Sequence, residues 1–363
     1  MPPALPDLTG DVVDLTAAIC DIPSVSDDER ALADAVEASL RPVGHLEVLR
    51  DGDALVARTD LGRPRRVIIA GHIDTVPVAG NLPTWRASAE DGTDELWGRG
   101  TVDMKGGVAV ALHLAARLAA PRWDVTWVFY DHEEVAAEAN GLGRLARHHP
   151  DWLAGDLALL GEPTGGGIEG GCNGTLRADV VATGRTAHSA RAWRGVNAVH
   201  AAGEILDRLR SYRPREVEVD GLSYREGMNA VRITGGIASN MIPDRCVVTV
   251  NYRFAPSLSP SDAEAHVREL FDGFEVEVTD LAGGARPGLE DPLAAEFVAA
   301  VTAETGAEPV AKQGWTDVAR FAELGVPAVN FGPGDPLLAH ADDERCPVRQ
   351  IRSCAAALEA WLT

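Results

Sequence analysis

Apolar positions along this chain follow two rhythms, helical and strand-like, and the order in which they alternate changes partway along. Between Leu5 and Pro42 the spacing is helical: Val12, Leu15 and Ile19 recur every three to four residues, as do Leu32, Val36 and Leu40. Ser26 followed by Glu29 just before the second run predicts a capping box at its start. From residue 44 to 161, short apolar runs alternate with helix-length segments. Val67–Ala70, Val125–Tyr130 and Leu157–Leu160 predict buried strands, and the small-residue stretch Gly106–Ala119 predicts a packed helix between them. Strands joined through helices imply an α/β architecture: a mostly parallel sheet flanked by helices on both faces.

The middle of the chain runs differently. Leu176–Thr183 alternates as a strand does, and Asn197–Arg210 is amphipathic through Val199, Ile205, Leu206 and Leu209. Strands around Asn229–Ile237 and Cys246–Phe254 follow, then a helix over Ser261–Phe271 and a strand over Phe274–Leu281. That β-α-β-β-α-β order is the split βαβ, ferredoxin-like arrangement of a self-contained small domain. After the turn-rich Ala282–Gly288 the α/β pattern resumes, with a helix from Pro292, a strand over Val326–Phe331 and a last helix ending near Leu362. The expected organisation is one α/β domain built from residues 1–173 and 284–363, with an inserted domain over 174–283. A chain of 363 residues accommodates two domains at about 150 residues each, with core enough to dispense with disulfides.

Charge narrows the function classes. Lys and Arg number 33 against 55 Asp and Glu, a formal charge of −22, which disfavours nucleic acid and anionic membrane surfaces as partners. The five cysteines, Cys20, Cys172, Cys246, Cys346 and Cys354, are scattered and form no C-x-x-C, as in proteins of a reducing compartment. No basic residue precedes Arg30, so the start lacks a secretory n-region. No stretch approaches the roughly 20 apolar residues of a membrane span. A soluble, cytoplasmic protein is expected.

The candidate chemistry lies just beyond the expected strands. His72 and Asp74 follow Val67–Ala70, Glu133 and Glu134 follow Val125–Tyr130, Glu162 follows Leu157–Leu160, and His340 comes after Val326–Phe331. Ligands of open α/β sheets sit outside the carboxyl ends of the strands, and Asp103, just before the expected helix, can join them. So many carboxylates at one edge call for cations. Imidazole with carboxylate suits Zn²⁺ or its neighbours better than Ca²⁺ or Mg²⁺. Five ligands, His72, Asp103, Glu134, Glu162 and His340, exceed the need of one catalytic zinc and fit two ions sharing one carboxylate. In that arrangement Asp74 fixes the tautomer of His72 and Glu133 acts as general base. Each motif by itself has a plainer reading: Glu133-Glu134 as a solvated turn, Asp103 as a helix N-cap, Glu162 as the opening of a turn before Pro163, His188 as a surface histidine.

Taken together, the segments Gly71-His72-Ile73-Asp74-Thr75-Val76-Pro77, Gly98-Arg99-Gly100-Thr101-Val102-Asp103-Met104-Lys105-Gly106-Gly107, Glu133-Glu134, Gly161-Glu162-Pro163-Thr164 and His340 resemble the co-catalytic dinuclear zinc deacylases and exopeptidases. That family takes in aminoacylases, acetylornithine deacetylases, carboxypeptidases and desuccinylases. The resemblance implies that His72 and Glu162 hold one zinc, that Glu134 and His340 hold the other, and that Asp103 bridges them. It also implies a cis peptide after Asp103 and an inserted domain that serves as lid and dimer contact. His188 would then cross a homodimer to donate a hydrogen bond to the tetrahedral oxyanion. His132, before Glu133, departs from the acidic or small residue that relatives often carry, and leaves both glutamates in place.

Further segments, among them Gly171-Cys172-Asn173-Gly174-Thr175-Leu176, Ser239-Asn240-Met241-Ile242-Pro243 and Gly314-Trp315-Thr316-Asp317, look most like the branch of the family that removes a succinyl group from diaminopimelate. Such an acylated amino acid carries three carboxylates. Arg191, Arg253, Asn240 and Thr316 are the candidate groups to receive them, arginine being suited to bidentate carboxylate recognition. A sibling deacylase or dipeptidase with the same metals, and a non-catalytic dimeric binding protein on the same fold, are the alternatives.

Overall fold

A computed structural model describes residues 3–363. The chain divides into two compact units, one comprising Met1–Gly170, Gly288–Val310 and Arg320–Thr363, the other Gly171–Pro287 and Ala311–Ala319.

The first unit is built on an eight-stranded sheet. From edge to edge its strands are Glu47–Asp51, Ala54–Arg58, Asp124–Tyr130, Arg66–His72, Leu157–Leu160, Ala328–Asn330, Glu169–Gly170 and Val310–Ala311. The four strands from Asp124–Tyr130 to Ala328–Asn330 run parallel to their neighbours in that series. Ala54–Arg58 and Glu47–Asp51 pair antiparallel on one side, and Glu169–Gly170 antiparallel on the other. The sheet is therefore mixed, with a parallel centre and antiparallel pairs outside it, of which only Glu47–Asp51 and Ala54–Arg58 are joined by a tight turn.

Register explains the burial. Ala57, Trp127, Ile69, Leu159 and Val329 lie side by side across five strands. They share one core with the helices Val12–Cys20, Arg30–Leu40, Lys105–Arg117, Pro292–Thr305 and Val348–Leu362. The alternate positions Val56, Ile68, Val128, Ala158 and Leu160 are equally buried, so both faces are covered, as a parallel sheet requires. A small antiparallel sheet of Trp85–Ser88, Asp94–Trp97 and Arg345–Pro347 stands beside it.

The expected capping box does not form. The second helix begins at Arg30 with Glu29 at its N-cap and no side-chain cap bond. The Ser26 hydroxyl donates instead to Asp74 Oδ2 at 2.8 Å, and Glu29 Oε1 accepts the backbone N–H of His132 at 3.2 Å. Partners distant in sequence outbid the local motif. Asp103 is no helix cap either, since Met104 occupies that position.

The second unit is a four-stranded antiparallel sheet ordered Gly227–Gly235, Arg245–Phe254, Gly174–Thr183, Glu275–Ala282. Helices Ala198–Ser211 and Pro260–Leu270 supply Ala198, Ala202, Ile205, Ala263 and Val267 to a core with Leu176, Val180, Val248 and Val250 of the strands. The β-α-β-β-α-β order is the one read from the sequence. Residues 311–319 join this unit rather than the first. Asn173 Nδ2 donates to the Gln313 carbonyl at 3.0 Å, the Gln313 side chain bonds Arg225 N–H and the Ser223 carbonyl, and Trp315 Nε1 donates to the Gly283 carbonyl at 3.0 Å.

Candidate active site

The parallel strands aim their carboxyl ends at one place. His72 is the last residue of Arg66–His72, Glu133 and Glu134 follow Asp124–Tyr130 within four residues, and Glu162 comes two residues after Leu157–Leu160. Asp103 lies two residues before the helix Lys105–Arg117, and His340 lies in the loop beyond Ala328–Asn330. Glycine permits the crowding: a Cβ on Gly107 would lie 2.1 Å from the Gly161 carbonyl oxygen, and one on Gly332 would lie 2.4 Å from the same atom. Larger residues there would push apart the helix start, the Glu162 loop and the segment leading to His340.

Asp103 occupies the centre. Its Oδ1 is 3.2 Å from His72 Nε2, and its Oδ2 is 3.4 Å from His340 Nε2. His340 Nε2 is also 3.0 Å from Glu134 Oε1. The donor atoms of His72, Asp103 and Glu162 lie within 4.8 Å of one another, as do those of Asp103, Glu134 and His340. A third such group consists of His72, Glu133 and Glu134. Asp103 thus belongs to two triads, one with each histidine. The Asp103–Met104 peptide is cis, as the resemblance implied.

Behind these groups, Asp74 is fully buried. Its Oδ1 lies 3.4 Å from His72 Nδ1 and accepts the N–H of Glu133 at 3.0 Å, while its Oδ2 accepts the N–H of Glu134 at 3.0 Å. His72 Nδ1 also hydrogen-bonds the main-chain carbonyl of Asp74 at 3.0 Å. This one residue therefore fixes the imidazole, through its carbonyl and its nearby carboxylate, and the main chain that carries the two glutamates. His340 and His132 both have positive φ, 64° and 59°, a backbone region that non-glycine residues occupy mainly where surroundings enforce it, often at functional sites.

The electrostatics call for cations. Burial alone would lower the pKa of His72, but Asp103 and Asp74 override it and hold the imidazole well above its ordinary value. Asp103 and Glu134 push His340 up to about 10. Burial would raise Asp103, and the two imidazoles hold it well below the usual carboxylate range instead. The carboxylates draw positive charge onto both rings. Divalent ions between them would supply that charge and leave the imidazoles neutral for ligation, as metal binding requires. Two imidazoles with carboxylate oxygens match the donor preference of Zn²⁺ and its neighbours. The residues present fit a metal centre.

The remaining sequence candidates, His188, Arg191, Asn240, Arg253 and Thr316, all belong to the second unit. His188 is exposed on a short strand, Ala187–His188, paired with Met241–Ile242. Its Nδ1 accepts the N–H of Ala190 at 3.1 Å, which leaves Nε2 as the protonated, donating nitrogen of the neutral ring. Arg191 is exposed in the 3₁₀ turn Ser189–Arg194, and the Asn240 carbonyl accepts the N–H of Ser189 at 2.9 Å. Arg253 is half-buried, with Nε donating to Asn251 Oδ1 at 3.2 Å. Burial and neighbouring Arg177 lower its pKa. Thr316 is buried.

Sequence reasoning missed a buried layer around these side chains. Glu344, in an ion pair with Arg99, accepts the N–H groups of Val102 and Asp103. Ser26 supports Asp74. In the sequence Ser26 reads as a helix cap, and Glu344, following two aspartates, reads as surface charge.

An α/β sheet with imidazole and carboxylate side chains gathered at its strand ends, and a ferredoxin-like unit inserted in the chain, is an arrangement suited to a metal-dependent hydrolase. The chain belongs to Peptidase family M20/M25/M40, whose model matches residues 68–363. It is 55% identical over 359 residues, 98% of this chain and 99% of the relative, to a Mycobacterium tuberculosis protein named provisionally as the succinyl-diaminopimelate desuccinylase DapE. It is 48% identical over 368 residues, 98% of this chain and 97% of the relative, to the succinyl-diaminopimelate desuccinylase of Corynebacterium glutamicum. The crystal structure of a tripeptidase from Staphylococcus aureus superposes with a TM-score of 0.78 at 19% identity, covering 97% of each chain; that likeness concerns the fold.

Proposed function

We propose that this chain hydrolyses N-succinyl-L,L-2,6-diaminopimelate to succinate and L,L-2,6-diaminopimelate, a step of lysine and diaminopimelate biosynthesis, at two zinc ions per subunit. The observation that carries the reading is the placement of the Asp103 oxygens, one toward His72 and the other toward His340. The relatives at 55% and 48% identity carry that activity in their names.

His72 and Glu162 would hold one ion, Glu134 and His340 the other, and Asp103 would bridge. When bound, such a pair polarises the amide carbonyl and acidifies a shared water. Glu133, whose main chain is fixed by Asp74, takes a proton from the attacking water and passes it to the departing amine. Asp74 keeps His72 in the tautomer that offers Nε2 to a metal. His188 donates its Nε2–H to the oxyanion. Arg191, Arg253, Asn240 and Thr316 receive the substrate carboxylates, with the two arginines supplying local positive charge in a chain of −22.

A homodimer formed through the second unit would bring His188 to the site of the other protomer. Support comes from the edge strand Gly227–Gly235, which leaves Val231 and Ile233 exposed, and from exposed Val199 and Leu206 on the helix Ala198–Ser211. An unpaired apolar sheet edge is a surface that proteins cover. A cytoplasmic location fits the substrate. Among the described residues no helix is long and apolar enough to cross a membrane.

The test is chelator dialysis followed by zinc add-back, assayed on a panel of succinyl-diaminopimelate, acetylornithine and other acetylated amino acids. Activity should vanish with the metal, return as two zinc ions bind per chain, and favour the succinylated substrate. Preference for acetylornithine would assign the chain to a sibling deacylase, and no turnover of any amide by the reloaded protein would make it a binding protein.

A further inference from the structure

Glu344 and Arg99 form an ion pair with Glu344 Oε2 2.7 Å from Arg99 Nη1, and their side chains are 0% and 3% exposed. The other carboxylate oxygen, Oε1, accepts the N–H of Val102 at 2.9 Å and of Asp103 at 3.2 Å. Arg99 also donates through Nε to the Pro77 carbonyl and through Nη1 to the Ala341 carbonyl, both at 3.2 Å. The main chain of Glu344 completes the link: its carbonyl accepts Gly98 N–H at 3.0 Å, and its N–H donates to the Ala341 carbonyl at 3.3 Å. The strands that follow Glu344 and precede Gly98, Arg345–Pro347 and Asp94–Trp97, are paired antiparallel. The pair therefore ties the segment that presents Asp103 to the turn that follows His340.

A buried ion pair is weak evidence for stability, because desolvating two charges offsets most of their attraction. What this pair does that an apolar pair could not is point one charged oxygen at two consecutive backbone N–H groups, one of them that of Asp103 itself. We propose that Glu344, clamped by Arg99, is a positioning residue for the catalytic centre: it holds the peptide of Asp103 so that the two carboxylate oxygens face His72 and His340. Catalytic groups must be held to within about 0.5 Å, and a misplacement of about 1 Å costs on the order of 100-fold in rate. This inference rests on the two-metal reading above.

The test uses full-length protein loaded with Mn²⁺ and compares wild type with Glu344→Gln. Three quantities are measured: thermal midpoint, kcat and KM on the succinylated substrate, and the electron paramagnetic resonance spectrum, in which a carboxylate-bridged Mn²⁺ pair gives an exchange-coupled signal. The expected result for the variant is a folded protein with kcat lowered about 10- to 100-fold, KM within about 3-fold of wild type, and a weakened or altered coupled signal. Glu344→Asp keeps the charge beside Arg99 but draws the oxygen back from the two N–H groups. It should show the same loss of coupling, and it decides the question if the glutamine variant is unfolded at the assay temperature. A lowered midpoint with wild-type kcat and wild-type coupling would make Glu344 merely structural and overturn the proposal. Absence of a coupled signal in the wild-type protein would overturn the two-metal reading, and this inference with it.

Discussion

Asp74 and Glu133 are joined through a single hydrogen bond, Glu133 N–H to Asp74 Oδ1 at 3.0 Å, from the same carboxylate that stands 3.4 Å from His72 Nδ1. Glu133 and His72 are thereby referred to one buried anchor. Movement of either strand end is felt by both.

Replacing Asp74 with Asn should accordingly weaken metal binding and turnover together. The amide has one acceptor oxygen where the carboxylate serves Ser26, Glu133, Glu134 and His72. Loss of the carboxylate behind a ligating histidine typically costs 10- to 100-fold in metal affinity or activity. Competition with a chromophoric zinc chelator, alongside kcat, measures both. Wild-type affinity and rate in the variant would show that Asp74 is not the anchor.

Glu133→Gln separates the base from the ligands. The amide keeps the size of the side chain but cannot accept the proton, so turnover should fall by at least 10²-fold while bound metal stays near the wild-type level. Metal analysis of the purified variant distinguishes the roles. If metal is lost along with activity, Glu133 is a ligand rather than the base.

Lys105 gives the fold a pH dependence. Its ammonium is enclosed and donates to the carbonyls of Ile19 and Ile22 at 3.2 and 3.0 Å, and burial pushes its pKa down to about 8. Below about 8 both folded and unfolded chains carry the proton, and the cost of enclosing the charge is present in full. As the pH rises from about 8 toward the unfolded value of about 10.4, the folded protein releases its proton first and that cost disappears. The contribution of Lys105 to stability therefore increases with pH across this window. Urea midpoints of wild type and Lys105→Met between pH 7 and pH 10.5 should diverge steadily in favour of wild type. A difference independent of pH would count against a buried, titrating ammonium.

Sequence and structure agree most closely where the physics is local. Strand Arg66–His72 and helix Lys105–Arg117 follow from apolar spacing that any window of the chain displays. His72, Glu134 and Glu162 could be placed at strand ends because a strand's carboxyl end is readable from where its apolar run stops. The same local reasoning failed at Ser26 and Glu29, whose spacing reads as a cap but whose oxygens are taken by Asp74 and His132. It also assigned residues 311–319 to the wrong unit, because the bonds that hold Gln313 and Trp315 come from Asn173, Arg225 and Gly283.

By itself the sequence determined the α/β architecture and the split βαβ unit, and it picked out side chains that the fold gathers at the strand ends, all of them properties of periodicity and of motifs a few residues long. Only the tertiary structure decided how those side chains stand to one another: that Asp103 turns one oxygen to each histidine, that Asp74 serves three segments at once, and that Glu344 reaches back 241 residues to the N–H of Asp103. The reason is physical. A buried carboxylate takes whichever donors the folded chain brings within about 3 Å, and that choice is made across hundreds of residues where no local pattern records it.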